Sequence, residues 1–458
     1  MTFKLYNDSK RKKQIFKPLN APHVTMYVCG PTIYDYAHLG HGRSLVAFDL
    51  LHRYLKYKSF QVNYVFNYTD IEDKMINRAN EEHITVKQLA DRFTQIYHED
   101  YQKLNPLSPT HNPKATEHIP EMIELIKTLE KKSFTYPIDN DGLYFNVKKF
   151  KKYGQLSQQD LHELKAGARV DLKDKRSPHD FVLWKLAKPN EPSWDSPWGR
   201  GRPGWHIECS AMSMKYLGKT IDIHGGGQDL IFPHHEDEIA QSEAANGKPF
   251  AKYWLHNGFV TINGEKMSKS LNNFYTLRDI FKEYNPLAVR YLFLSIHYRM
   301  PINFTLESLQ SAAKSLDKIQ QAYFSIIDQK HSTKFGKKNL NINKYYKQLE
   351  KALDDDLNIS PVLAVMFGLI NQYYKHQQKL SPESLLQLEK FFQDIDTIFG
   401  ILKHSREIIP LEIIQLAKAR LEARKNKQWS ESDQLRDKIK SSGYEIADTK
   451  DGYELKKL

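Results

Sequence analysis

Residues 24–66 constrain the fold most, because a helical pattern stands between two strand patterns in this stretch. Residues 24–29 form an apolar run that is typical of a buried strand, and residues 62–66 form a second one. From Ser44 onward, apolar residues recur at steps of three and four, as they do on one face of a helix. A strand, a crossover helix and another strand predict a parallel, doubly wound sheet of the α/β class.

The residues that follow the first strand are candidates for a ligand site, since ligands on such sheets bind at the carboxyl ends of strands. Cys29 ends this strand, and His38-Leu39-Gly40-His41 follows. Gly40-His41-Gly42 is a fragment of a dinucleotide fingerprint, but Leu45 occupies the position of the third glycine. A nicotinamide-dependent oxidoreductase is therefore disfavoured, and no Walker pattern is present.

The chain contains only two cysteines, Cys29 and Cys209. His234 and Glu238 are four residues apart, so a helix that begins after Pro233 would place both on one face. If the fold brings the cysteines together beside this face, two thiolates, an imidazole and a carboxylate form a ligand set that suits Zn2+. Spacing alone leaves open two unrelated buried cysteines and a solvated helix face.

Three other kinds of site are excluded by what is missing around similar residues. His224-Gly225-Gly226-Gly227 is similar to a hydrolase oxyanion loop, but the chain has no G-x-S-x-G motif. His235-Glu236 opens an H-E-x-x-H pattern, but Ile239 stands where the second histidine belongs. No C-x-x-C occurs, which excludes a zinc ribbon and a redox-active cysteine pair.

Composition favours a multidomain, cytoplasmic protein with a polyanionic partner. The chain has 458 residues, and lysine plus arginine outnumber aspartate plus glutamate by 67 to 55. The net charge of +12 is consistent with nucleic-acid binding, although a basic proteome would give the same balance. Two cysteines fit a reducing cytosol. The sequence shows neither an apolar run of 18 residues nor an N-terminal signal segment, so we expect no membrane association.

Three later segments are notable for their charge. Asn263-Gly264 predicts a hairpin turn, and the lysines of Lys266-Met267-Ser268-Lys269-Ser270, which follows, could clamp phosphates or belong to an ordinary exposed loop. We interpret Asp354-Asp355-Asp356 as a solvated turn rather than a metal site. Residues 411–428 predict a basic helix, followed by a helix and a small hairpin; a nucleic-acid module and a solvated lysine face both fit this pattern.

Together these motifs resemble class I aminoacyl-tRNA synthetases, and within that class the bacterial-type cysteinyl-tRNA synthetase family. His38-Leu39-Gly40-His41 is similar to the HIGH signature, with leucine conserving the volume of isoleucine, and residues 266–270 match the KMSKS loop residue for residue. The cysteine-specific segments are residues 29–32, 204–210 and 224–230, with His234, His235 and Glu238. The resemblance covers the whole chain, more loosely in its C-terminal part.

The resemblance implies that L-cysteine and ATP form cysteinyl-adenylate and that the acyl group then passes to tRNA(Cys). It implies that the catalytic groups, which also bind ATP beside Gly40, are His38, His41, Lys266 and Lys269. Mg2+ would accompany the nucleotide. Zn2+ would recognise the substrate thiol, and its implied ligands are Cys29, Cys209, His234 and Glu238. The implied wall of the cysteine pocket comprises Thr69, Trp205, His224 and His235.

The same resemblance implies a domain order. A Rossmann-like catalytic domain comprises residues 1–115 and 200–285, interrupted by a connective insertion at 116–199 in which residues 167–170 predict a short strand. A linker at 286–305 leads to a helical bundle at 306–404 and a small basic α+β anticodon-binding module at 405–458. We expect a monomer.

Two related functions stay open on the sequence alone. An enzyme that joins activated cysteine to an amino-sugar would share the sheet domain and the zinc, but it should lack the basic module after residue 405. A non-catalytic, zinc-containing RNA-binding protein derived from a synthetase is disfavoured by the intact HLGH and KMSKS segments.

Overall fold

The computed structural model describes residues 2–158, 174–189, 191–267, 273–332, 335–406, 410–449 and 452–457. They form two compact units, Met1–Leu402 and Lys403–Leu458. Within this part of the chain, no helix combines the length and the apolarity that crossing a membrane requires.

The first unit contains strands and helices of both the sheet domain and the bundle. Its strands are β1 (Lys4–Asn7), β2 (Lys12–Ile15), β3 (His23–Val28), β4 (Gln61–Phe66), β5 (Thr135–Ile138), β6 (Gly142–Phe145), β7 (Phe181–Leu186), β8 (Gly201–Pro203), β9 (Ile221–Gly227), β10 (Ala251–Asn257), β11 (Val260–Ile262), β12 (Glu265–Lys266) and β13 (Ile302–Phe304). Its helices are α1 (Leu39–Tyr57), α2 (Asp73–Glu81), α3 (Val86–Lys103), α4 (Ile119–Lys131), α5 (Trp205–Leu217), α6 (Glu236–Asn246), α7 (Leu277–Glu283), α8 (Pro286–Ser295), α9 (Leu306–Lys330), α10 (Ile342–Leu353), α11 (Ile359–His376) and α12 (Pro382–Phe399).

A four-stranded parallel sheet in the order β10-β9-β3-β4 lies at the centre of this unit. In its register, Met26 of β3 pairs with Tyr64 of β4 and with Ile223 of β9, and all three are buried. The predicted α/β class with a parallel sheet is confirmed. Because the strands are parallel, their carboxyl ends meet at one edge, and Cys29 directly follows β3 at this edge.

Helix α1 connects β3 to β4 and begins earlier than its apolar pattern indicates. The pattern starts at Ser44, but the helix starts at Leu39 because the ring of His38 caps it by accepting hydrogen bonds from the backbone N–H groups of Gly40 and His41. The apolar face, including Phe48, is buried against the sheet. The His38-Leu39-Gly40-His41 segment is therefore the first turn of a helix at the carboxyl edge.

A separate antiparallel sheet has the order β5-β6-β7-β8; its first three strands lie in the predicted insertion, and β8 lies just after it. The prolines and glycines of the stretch 190–204 predict a loop, but the stretch contains strand β8, whose Arg202 pairs with Lys185 of β7. The pairing with β7 makes this stretch a strand, and composition alone does not indicate such pairing. The short strand predicted at 167–170 lies outside the described residues.

The helical region follows, and its aspartate run is not a solvated turn. Asp354 accepts a hydrogen bond from Tyr54 of α1 at 2.7 Å and Asp356 accepts one from Arg299 at 2.8 Å, and both carboxylates are buried. Asp355 alone is half-buried, and it pairs with Lys13 at 2.7 Å. The solvated-turn interpretation is therefore wrong for two of the three residues, because distant partners enclose them.

The second unit contains the helices α13 (Leu411–Lys425) and α14 (Trp429–Ser441) and the hairpin β14 (Tyr444–Thr449) and β15 (Gly452–Lys457). The helix–helix–hairpin order predicted from the sequence is confirmed. Its small core comprises Ile413, Ala417, Ile439, Tyr444 and Ile446. Arg420 is buried and forms a bidentate pair with Asp448. Arg420 of the predicted basic helix therefore links α13 to β14 instead of facing solvent.

Candidate metal centre and nucleotide site

The two cysteines, far apart in sequence, lie in contact at the carboxyl edge of the sheet. Cys29 Sγ lies 3.5 Å from Cys209 Sγ, 3.3 Å from Glu238 Oε1 and 3.7 Å from His234 Nε2. His234 Nε2 and Glu238 Oε1 are 3.0 Å apart, and all four side chains are buried. This group could hold a metal ion.

Three elements bring the four ligand atoms together. Cys29 is fixed beside β9 by its N–H, which donates to the carbonyl of Gly225 at 3.0 Å. Cys209 lies in α5. His234 belongs to the irregular turn Ile231–His235 that precedes α6, and Glu238 lies in the first turn of that helix. The i,i+4 contact between the last two is the one predicted from spacing, although the regular helix begins only at Glu236.

The observed separations fit a tetrahedral zinc ion. Zn2+ binds sulfur at about 2.3 Å and nitrogen or oxygen at about 2.0 Å, so a tetrahedron separates its ligand atoms by about 3.3–3.8 Å. The four measured distances run from 3.0 to 3.7 Å. Two sulfurs, one imidazole and one carboxylate suit zinc, whereas magnesium and calcium prefer oxygen ligands alone.

A buried relay prepares His234 for a metal. His206 Nε2 lies 3.2 Å from Asp237 Oδ2, and His206 Nδ1 lies 2.9 Å from His234 Nδ1. A carboxylate only accepts hydrogen bonds, so His206 carries its proton on Nε2 and accepts from Nδ1–H of His234. Burial would lower the pKa of His234, but Glu238 and Cys209 raise it to about 10. A bound metal would therefore replace the proton on Nε2, the nitrogen that faces the ligand group, as in carboxylate–histidine–zinc arrangements.

A second relay runs parallel to the first. Asp8 Oδ2 lies 2.8 Å from His256 Nδ1, and His256 Nε2 lies 2.8 Å from His235 Nδ1. By the same reasoning, His235 presents an unprotonated Nε2 to the interior, where it has no hydrogen-bond partner. His224 Nε2 lies 2.8 Å from the other carboxylate oxygen of Glu238 and holds that side chain in place. Cys29, His224, His235 and Glu238 form an alternative ligand group.

The electrostatics of the group favour charged ligands at two positions. Burial alone would raise the pKa of Cys209, but the hydrogen bond from Cys29 and the neighbouring His234 lower it to about 6. Burial would likewise raise the pKa of Glu238, yet His224 and His234 hold it well below its usual value. Burial and the hydrogen bond to Cys209 raise the pKa of Cys29. A thiolate and a carboxylate are therefore in place to bind a cation.

The remaining predicted pocket residues lie around this group. Trp205 stacks on His234 with ring centroids 4.3 Å apart and is 37% exposed, so it lies between the ligands and solvent. Thr69 Oγ1 donates to Glu208 Oε2 at 2.9 Å, and Glu208 Oε1 has no partner although the residue is fully buried. Asn67 Oδ1 accepts from the N–H of Gly30 at 3.0 Å and lies 3.8 Å from Cys209 Sγ.

The two histidines of the HLGH segment share one tautomer. His38 Nδ1 accepts from the N–H groups of Gly40 and His41, and His41 Nδ1 accepts from the N–H of His38 at 3.3 Å. A neutral imidazole carries one proton, so both rings carry it on Nε2. Burial lowers the pKa of His38 to about 4 and that of His41 well below its usual value, which keeps both rings neutral at pH 7.

This geometry suits an anion. The two rings stack with centroids 3.6 Å apart at the amino terminus of α1, where the helix dipole favours negative charge. A Cβ at Gly40 would lie 2.9 Å from the His38 ring, so glycine here gives room to the ring itself.

The KMSKS segment is described only in part. Lys266 is exposed at the end of strand β12, which pairs with β11 as the Asn263-Gly264 turn predicted. Lys269 lies outside the described residues. The residues that follow the segment contact the HLGH turn. The N–H of Leu39 donates to the carbonyl of Tyr275 at 3.3 Å, and the N–H of Leu277 donates to the carbonyl of Ala37 at 2.7 Å.

Six residues of the site were not predicted from the sequence: Asp8, Asn67, His206, Glu208, Asp237 and His256. His206 and Glu208 belong to the cysteine-specific segment 204–210, and Asp237 adjoins Glu238. Their proximity in sequence to the proposed ligands could have indicated that they are part of the site. Nothing near Asp8 or His256 in the sequence indicates that they meet each other, since they lie 248 positions apart.

The chain matches two family models: the tRNA synthetases class I (C) catalytic domain over residues 15–314 and the DALR domain over residues 348–403. It is 48% identical to a cysteine–tRNA ligase of Caldicellulosiruptor saccharolyticus, with 99% of this chain and 100% of the relative covered. It is 45% identical to a cysteine–tRNA ligase of a Geobacillus species, with 100% and 99% covered.

Two solved structures share the fold. A methionyl-tRNA synthetase of Mycobacterium tuberculosis in complex with methionyl-adenylate matches with a TM-score of 0.60 at 13% identity, covering 82% of this chain and 92% of that one. A leucyl-tRNA synthetase from a ternary complex of Agrobacterium radiobacter matches with a TM-score of 0.63 at 10% identity, covering 84% of each chain.

The parallel sheet, with the HLGH turn at its carboxyl edge, defines a class I aminoacyl-tRNA synthetase. The same edge of the sheet holds the buried Cys/His/Glu group. The chain belongs to the cysteine–tRNA ligase family.

Proposed function

We propose that this enzyme ligates L-cysteine to tRNA(Cys) through cysteinyl-adenylate and that a zinc ion held by Cys29, Cys209, His234 and Glu238 recognises the substrate thiol. The observation that carries the proposal is the meeting of these four side chains at the sheet edge where the HLGH turn also lies. The amino acid and the nucleotide must react with each other, so their sites must share this edge.

The ligand set explains how serine would be refused. Serine differs from cysteine by one atom, and accurate translation needs roughly 10^4-fold discrimination, or about 5.5 kcal/mol. When bound, Zn2+ would offer a coordination position to a thiol, which ionises near pH ~8.5 unaided, far more readily than to a hydroxyl. The Asp237–His206 relay supports this role because it fixes the tautomer of His234.

The protein's own residues orient the other substrates. Trp205, Thr69, His224 and His235 would form the wall of the cysteine pocket. His38 and His41 would donate Nε2–H bonds to phosphate oxygens of ATP, beside Gly40 at the amino terminus of α1. Lys266 and Lys269 would neutralise the pyrophosphate that leaves, and Mg2+ would accompany the nucleotide. Phosphoryl transfer of this kind requires positioned charge rather than a protein nucleophile.

The domain organisation is part of the proposal. The catalytic domain, with its insertion, would activate cysteine, and the basic unit that begins at Lys403 would bind the anticodon region of tRNA. The presence of this unit also disfavours the amino-sugar ligase, which should lack it. A monomeric state and a cytoplasmic location remain predictions from the sequence.

One experiment tests the core of the proposal. Metal analysis of the purified protein should find one zinc per chain, and ATP–pyrophosphate exchange should depend on cysteine and proceed at least about 10^4-fold less efficiently with serine. A metal-free protein that retains full exchange and still refuses serine would contradict the role of zinc. Exchange without tRNA charging would favour the amino-sugar ligase, and no exchange at all would favour a non-catalytic RNA-binding protein.

A further inference from the structure

Helix α3 presents a largely aromatic stripe to the interior of the first unit. Leu89, Phe93, Tyr97 and Tyr101 recur every four residues, and all four are buried. The ring of Tyr97 packs against Tyr68 and Tyr101, with centroids 6.2 and 5.4 Å away. A phenylalanine would pack in the same way, so packing does not explain the hydroxyl of Tyr97.

The hydroxyl of Tyr97 contacts the ring of His41. The tyrosine is 1% exposed, and among the described residues its hydroxyl has one hydrogen-bond partner, His41 Nδ1 at 3.4 Å. The same Nδ1 accepts from the N–H of His38 at 3.3 Å, so it carries no proton. Tyr97 must therefore donate its O–H to a lone pair that His38 also uses.

Two donors at Nδ1 determine where the proton of His41 lies. If Nδ1 carried the proton, the N–H of His38 would lose its acceptor and the hydroxyl of Tyr97 would have to turn and accept instead. The observed arrangement places the proton on Nε2, the nitrogen proposed to donate to ATP. The tautomer of His38 is fixed within its own helix turn, whereas that of His41 also depends on a contact from a different helix.

Ion pairs hold α3 beside the HLGH turn. One turn after Tyr97, the buried carboxylate of Asp100 accepts from Arg278 Nε at 3.1 Å, and Glu99 accepts from the same guanidinium at 2.9 Å. Arg278 belongs to α7, whose first residue donates its N–H to the carbonyl of Ala37. These contacts fix the position of the Tyr97 hydroxyl relative to the turn.

We propose that Tyr97 is a positioning residue for adenylate formation, which holds His41 in the tautomer that donates from Nε2 to the nucleotide. This inference rests on the proposed function, in which His41 binds ATP. Because its hydroxyl contacts Nδ1, Tyr97 acts on the nucleotide through the ring of His41. The competing role is a purely structural one, as a member of the aromatic stripe.

Tyr97→Phe removes the hydroxyl and keeps the packing of the ring. Loss of one hydrogen bond to His41 should lower kcat/KM for ATP about fivefold in cysteine-dependent ATP–pyrophosphate exchange, while KM for cysteine and zinc content stay within about twofold. In the His41→Gln background, Tyr97→Phe should cause no further loss, because the group through which it acts is absent.

A spectroscopic measurement tests the tautomer without relying on activity. In protein labelled with 15N-histidine, the ring signals that are missing from His41→Gln belong to His41. In the wild type they should show a protonated Nε2 and an unprotonated Nδ1. In Tyr97→Phe they should show a mixture of the two tautomers, which the loss of a purely structural contact would not produce.

The matched control is Tyr101→Phe, the same change on a buried ring one turn further along α3. In the described part of the chain, its hydroxyl forms no hydrogen bond with His38 or His41, so the kinetics with ATP and the ring spectra should not change.

An equal loss in Tyr101→Phe, or a further loss from Tyr97→Phe in the His41→Gln background, would overturn the proposal in favour of a structural role. Unchanged kinetics or an unchanged tautomer in Tyr97→Phe would overturn it as well. A wild-type protein without exchange would instead refute the proposed function, and the ring spectra would still decide whether Tyr97 fixes the tautomer of His41.

Discussion

The metal centre and the C-terminal unit both contain buried charged side chains, but the residues that pair with each other are separated by very different distances along the chain. Cys29 and Glu238 meet across 209 positions, and Asp8 and His256 across 248. In the C-terminal unit, the buried Arg420 finds Asp448 only 28 positions away. The centre forms only when segments between Asp8 and His256 fold together, whereas the core of the second unit is built from residues between Ile413 and Ile446.

The burial differs as well. All four proposed ligands are nearly inaccessible to water, whereas the side chain of Asp448 is 39% exposed. A buried charge without its partner is costly, because neither water nor another group replaces the lost interaction, but an exposed one is hydrated. We therefore expect large and coupled losses in the first region and small, local ones in the second.

Removing one ligand should give the largest effect. Cys209→Ser replaces a soft thiolate by a hydroxyl, so zinc content and cysteine-dependent exchange should fall together, the exchange by about 10^3-fold or more. Ser213→Ala on the same helix is the control, since this buried hydroxyl has no hydrogen-bond partner. Retention of both metal and activity in Cys209→Ser would remove Cys209 from the ligand set.

Removing the whole second unit should give the next largest effect, but on one step only. A chain that ends at Leu402 loses the basic surface while it keeps the sheet edge, so tRNA charging should fall by about 10^2-fold with adenylate formation within about twofold of the full chain. Charging and ATP–pyrophosphate exchange of the two chains are the measurements. Equal loss of both would mean that the second unit stabilises the first.

Disabling the relay behind His234 should weaken the metal without removing it. Asp237→Asn can donate to His206 and so permits the wrong tautomer, and we expect zinc affinity to fall about 10- to 100-fold, measured by competition with a chelator. Asp195→Asn, an exposed aspartate on a loop, is the control. Unchanged affinity would show that the tautomer of His234 is fixed by other contacts.

The smallest effect is expected in the C-terminal unit. Asp448→Ala leaves Arg420 without its partner and should destabilise the unit by about 1–2 kcal/mol, measured by thermal unfolding. Asp433→Ala, which removes only the exposed pair with Arg436, should change stability by less than about 0.5 kcal/mol. Equal effects of the two substitutions would contradict a structural role for Arg420.

The same pair predicts a dependence on acid. The hydrogen bond from Arg420 holds the pKa of Asp448 below its usual value. An aspartate whose pKa is lower in the folded state stabilises it fully above the unfolded value of about 3.9, and this contribution is lost as the pH falls below it. The difference in stability between wild type and Asp448→Ala should therefore shrink below about pH 4.

Much of this protein follows from the sequence alone. The parallel sheet follows from strand runs on either side of a helical period, the C-terminal unit from local patterns, and the family from motifs such as His38-Leu39-Gly40-His41. These features depend on neighbours along the chain, where side-chain periodicity and capping chemistry act directly. The i,i+4 contact of His234 and Glu238 is another feature that depends on neighbours along the chain.

Only the tertiary structure shows which groups far apart in sequence form hydrogen bonds with each other or could bind one metal ion together. That Asp237 fixes His206 and His234, that Asp8 and His256 fix His235, and that two of three consecutive aspartates are buried depend on contacts between remote segments. Burial makes such contacts strong because water no longer competes for the polar groups, and burial is a property of the packed fold rather than of any short stretch of residues.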